Sequence, residues 1–92
     1  MRTFDTQGLS SAFDARRRGL KGLGKTGALS SPQIDEACSL FVAAERIREC
    51  GKSRITERRI EDILEDYFRK AKAGDHSAEA VVDTVKTFME AA

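Results

Sequence analysis

Tryptophan is absent from these 92 residues, and tyrosine, histidine and proline occur once each. No apolar run approaches the ~20 residues that a bilayer-crossing helix requires. The opening Met1-Arg2-Thr3-Phe4-Asp5 carries no apolar core of the signal-peptide kind. A cytoplasmic protein is therefore expected. The only cysteines are Cys38 and Cys50. Both fall in a segment that reads as one helix, where twelve residues separate them by ~18 Å, far outside disulfide reach. Two unpaired thiols are expected, in keeping with a reducing compartment. With His76 as the single histidine, the ligands for a zinc centre are lacking. No metal and no cofactor are expected.

What is present is charge and apolar periodicity. Charged residues make up 34% and hydrophobic residues 40%, a globular composition, and the net charge is +1. That balance conceals a gradient. Residues 1–31 carry six basic and two acidic side chains, whereas residues 55–92 carry six basic and nine acidic ones. The pattern suggests a basic N-terminal arm on an acidic helical body.

Three segments have helical spacing, so the expected fold is all-α, a small bundle with main helices at about 33–50, 57–73 and 77–91. In the second, Ile60, Ile63, Leu64, Tyr67, Phe68 and Ala71 line one face. Thr56 reads as its N-cap, Ile55 and Ile60 have the spacing of a hydrophobic staple, and Gly74 suits the left-handed position beyond its end. The third runs through Ala78, Val81, Val82, Val85, Phe88, Met89 and Ala92, with Ser77 as the expected N-cap. Its three valines lower intrinsic propensity, so packing must hold it. The first, with Ser31 as cap and Pro32 at N1, carries Ile34, Ala37, Cys38, Leu40, Phe41, Val42, Ala44 and Ile47. An apolar arc that wide predicts neighbours on two sides.

Residues 1–31 form the expected arm, with a short helix possible over 9–18 and loop over 19–31, because Gly8, Gly19, Gly22, Gly24 and Gly27 interrupt the region. Residues 32–92 form the expected helical domain. Removing residues 1–31 is expected to spare it. Phe4, Leu9, Phe13, Leu20, Leu23 and Leu29 then need a home on the body or on a second copy, which makes self-association an expectation.

Residues 19–26, Gly-Leu-Lys-Gly-Leu-Gly-Lys-Thr, match GxxxxGK[ST] and resemble the Walker A loop of P-loop NTPases. That loop implies backbone amides around phosphates, with lysine and hydroxyl aiding. It requires a buried strand before it and a helix running on after it. Here Asp14-Ala15-Arg16-Arg17-Arg18 precede it, and Gly27 and Pro32 follow. A flexible basic loop is expected instead of a nucleotide site. Residues 43–64, with Ala44, Ile47, Gly51, Ile55, Thr56, Arg59, Ile60 and Leu64, resemble the first helices of helix-turn-helix DNA-binding domains. The turn from Gly51 to Thr56 is long for that motif, and the next helix holds Glu79, Asp83 and Glu90 against Lys86.

Glu61, Asp62, Glu65 and Asp66 read as a solvated face with Arg58–Asp62, Glu65–Arg69 and Asp66–Lys70 pairs at i,i+4. Asp75-His76-Ser77 holds triad residue types, but adjacent residues do not build a triad, so His76 is expected in a surface turn. No catalytic residue is identified. The function expected is that of a non-catalytic binding or regulatory protein, acting on an unknown protein partner and self-associating as a homodimer. The alternative is a DNA-binding accessory using Arg16, Arg17, Arg18, Lys21, Lys25, Arg46, Lys52, Arg54, Arg58 and Arg59. These are the candidate contacts for partner or nucleic acid, through phosphate neutralisation.

Overall fold

The computed structural model describes residues 2–21 and 29–92, with Lys21 by its backbone alone. The described chain is mostly helical: β1 (Thr3–Asp5), α1 (Thr6–Lys21), α2 (Ser31–Glu49), β2 (Arg54–Thr56), α3 (Glu57–Ile63), α4 (Glu65–Lys72) and α5 (His76–Ala91). The all-α expectation holds, with a two-stranded antiparallel ladder added to it. In that ladder Thr3 pairs with Thr56, Phe4 with Ile55 and Asp5 with Arg54. The central pair is buried and the flanking residues face outward, as the period of two requires.

The N-terminal region departs most from the sequence reading. Residues 6–21 form a 16-residue helix, not a segment over 9–18 within an arm. Leu9 and Phe13 are wholly buried and Leu20 nearly so, in the same core as Leu40, Ile47, Ile60, Leu64, Val81 and Val85. The most extensive helix pairing in the molecule is α1 with α2. A helical glycine costs ~1 kcal/mol against alanine. Burying three large apolar side chains contributes ~1.5–3 kcal/mol each, so packing outweighs Gly8 and Gly19. Gly8 also has a steric reason to be glycine, since a Cβ there would lie 3.2 Å from the Phe88 ring and from Asp5 Oδ2.

The start of α1 is fastened on both sides. The Asp5 carboxylate accepts from the Gly8 amide at 3.0 Å. The Thr6 hydroxyl donates to the Lys52 carbonyl at 2.6 Å, and the Thr6 amide to the Ser53 carbonyl at 3.0 Å. At the opposite edge, the Arg2 guanidinium donates to the carbonyls of Met89 and Ala92. It thereby satisfies acceptors at the end of α5 that the helix itself leaves open.

The caps sharpen the sequence reading. Thr56 is the N-cap of α3, accepting from the Arg59 amide at 3.2 Å. Ser30, not Ser31, caps α2, in a reciprocal capping box with Gln33. Asp75, not Ser77, caps α5, so His76 opens a helix and does not sit in a turn. Gly74 has φ +92°. Its amide bonds the Ala71 carbonyl and that of Asp75 bonds Lys70, closing α4 in a Schellman motif. The helix expected over 57–73 divides at Leu64 (φ −109°, ψ 23°), a fully buried residue.

An electrostatic tie joins α2 to α4. Arg46 Nη1 on α2 lies 2.7 Å from Asp66 Oδ1 on α4, in place of the i,i+4 partner Lys70 expected for Asp66. This hydrogen bond holds the Asp66 carboxyl below its ordinary value of 3.8. Backbone bonding at the α5 cap does the same for Asp75. A carboxyl with a depressed pKa contributes stability above its unfolded pKa and loses it as pH falls through the folded one. The melting temperature is therefore expected to stay level from neutral pH to about pH 5 and to fall from ~pH 4 downward. In Asp66→Asn part of that acid dependence should vanish in melts recorded across the range. An unchanged slope would contradict the assignment.

Candidate interaction surface

Helix α2 divides lengthwise into two unlike faces. Glu36, Leu40, Ala43, Ala44 and Ile47 turn inward. On the outer side Ile34 is 49% exposed, Phe41 48% and Val42 37%, and Cys38 is exposed among them. Positions 34, 38, 41 and 42 follow the i, i+4, i+7, i+8 spacing of one helix face. The two neighbours expected for the wide arc are α1 and α5. They cover its inner part and leave this stripe uncovered.

The border toward α1 is basic. The Arg17 guanidinium stacks over the Phe41 ring, 5.4 Å from its centroid, and one of its nitrogens reaches Asp14 at 3.4 Å. Its Nε is buried without a hydrogen-bond partner among the described residues. Asp14 also binds Arg48, which holds Glu45 at 2.8 Å. An arginine laid on a half-exposed aromatic ring, amid aliphatic side chains, has the composition of protein-interface hot spots.

The border toward α5 is polar and acidic. Pro32, Asp35, Cys38, Ser39, Asp75, His76 and Ser77 line an open depression of about 530 Å³. Ser39 donates to the Ser77 hydroxyl at 3.1 Å, and Ser77 to Asp75 at 2.9 Å. Beneath it, the buried Glu36 carboxylate lies 3.5 Å from Arg16 Nε and 3.5 Å from His76 Nε2. Among the described residues no three of His, Cys, Asp and Glu come together as metal ligands.

The basic residues singled out from the sequence are dispersed. Arg16 lies 2.5 Å from Asp83 as well as against Glu36. Arg17 lies on Phe41, Arg46 is bound to Asp66, and Arg48 to Asp14. Arg54 donates to the hydroxyl and carbonyl of Thr3. Arg18 on α1, Lys52 in the loop after α2, and Arg58 and Arg59 together on α3 are exposed. The Lys21 side chain and Lys25 lie outside the described residues, as does most of the Walker-like stretch. The first residues of that stretch, Gly19 to Lys21, finish α1, and Leu20 is buried. Helix therefore precedes the motif, where a phosphate loop has a strand. Strand β2 stands between α2 and α3, where a helix-turn-helix has only a turn. In the acidic cluster Glu65–Arg69 does pair, at 3.9 Å, while no Arg58–Asp62 ion pair forms among the described residues.

Sequence spacing placed Ile34, Cys38, Phe41 and Val42 on the helix, but gave no sign that these apolar residues would be the uncovered ones. The pairing of Arg17 with Phe41 depends on α1, whose glycines concealed it. No helix of the described chain is long and apolar enough to cross a membrane. Set against protein-family models, curated proteins and solved structures, the chain gives no match.

Proposed function

We propose that this chain is a small, non-catalytic helical binding module that regulates a protein partner through the outer face of α2. The observation that carries the reading is Phe41, half exposed beneath Arg17 and continuous with Ile34, Cys38 and Val42. Apolar residues at helical spacing, bordered by charge, suit an amphipathic partner surface. Among the described residues the chemistry-bearing side chains gather at no enclosed cavity. The Ser39–Ser77–Asp75 hydrogen bonds open to solvent beside that face, and the Asp75 oxygen that accepts from Ser77 also accepts from the Ala78 amide as the cap of α5, which is a structural role.

The nucleic-acid alternative draws less support. Binding through counterion release needs a surface of uncompensated cations. Arg16, Arg46 and Arg48 each face a carboxylate of their own chain, and Arg54 is turned onto β1.

Affinity capture from the native host, with and without nuclease, distinguishes the readings. A protein partner retained after nuclease by the wild type and lost in Phe41→Glu is the expected result. A nuclease-sensitive catch indifferent to Phe41→Glu would overturn the proposal.

A further inference from the structure

We draw no further inference here: the strongest candidate, the exposed apolar stripe of Ile34, Phe41 and Val42 on the outer face of α2, belongs to the surface already described, and because its bordering Arg17 and Arg48 are paired with Asp14 and Glu45 of the same chain, nothing in the structure shows what covers it.

Discussion

Replacing Phe13 with alanine should remove a large part of the protein's stability. The ring is completely buried between α1 and the rest of the core. Truncating a core phenylalanine costs ~3–5 kcal/mol, the lost transfer free energy plus the cavity left behind. A domain of this length has ~5–14 kcal/mol in total. The melting temperature should fall by about 12 °C or more, since each kcal/mol corresponds to ~4–8 °C at this size. Thermal melts followed by circular dichroism measure it. A loss below ~1 kcal/mol would mean that α1 is a detachable arm. For the same reason, deletion of residues 1–31 should unfold the chain, contrary to the expectation from sequence, because it removes Phe4, Leu9, Phe13 and Leu20 together.

The second large effect is a contrast between neighbours. Leu40 is fully buried and Phe41 is half exposed, one residue apart on α2. Leu40→Ala should cost ~2–5 kcal/mol. Phe41→Ala should cost under ~1 kcal/mol, because a side chain that is half in water loses little by removal. What Phe41→Ala loses is the platform for Arg17, whose charge is already partnered by Asp14. Chemical denaturation of the two variants decides it. Equal losses would mean that the outer face is part of the fold and not a surface kept for binding. A phenylalanine that adds little to stability yet stays half in water is the pattern expected of a contact residue.

Much of this fold was legible because its signals are local. Thr56, Gly74 and the stripe from Ile60 to Ala71 declare the start, stop and buried face of one segment within a few residues of each other. The capping box at Ser30 and Gln33 is equally local, an S-x-x-Q spacing two residues ahead of Pro32's own helix-start signal. Helix α1 was not legible in the same way. Its glycines argue against helix on propensity, and what overrides them is burial against α2 and α5, which no window of sequence contains. Asp66 shows the same limit on a smaller scale. Spacing offers Lys70, but Arg46, twenty residues earlier, reaches it across the helix pairing at 2.7 Å.

The candidate surface divides along that line too. Spacing placed Ile34, Cys38, Phe41 and Val42 on the helix. The breadth of the apolar arc on α2 was visible, and so was the need for two neighbours. Which part those neighbours leave bare depends on where α1 and α5 sit. The candidate basic residues cluster in sequence. Folding turns Arg16, Arg17, Arg46 and Arg54 onto carboxylates or carbonyls of the chain itself, while Arg18, Lys52, Arg58 and Arg59 stay exposed.

The central claim, that the outer face of α2 is where this protein meets a partner, has a direct test in the side-chain NMR spectrum of the full labelled chain, recorded alone and in nuclease-treated extract of the native host. The methyl signals of Ile34 and Val42 and the ring signals of Phe41 should shift or broaden together in the extract, while those of Ile60, Leu64 and Val81 in the core stay in place. Changes that centre on α3 or α4 instead, or an α2 face whose signals never move, would contradict it.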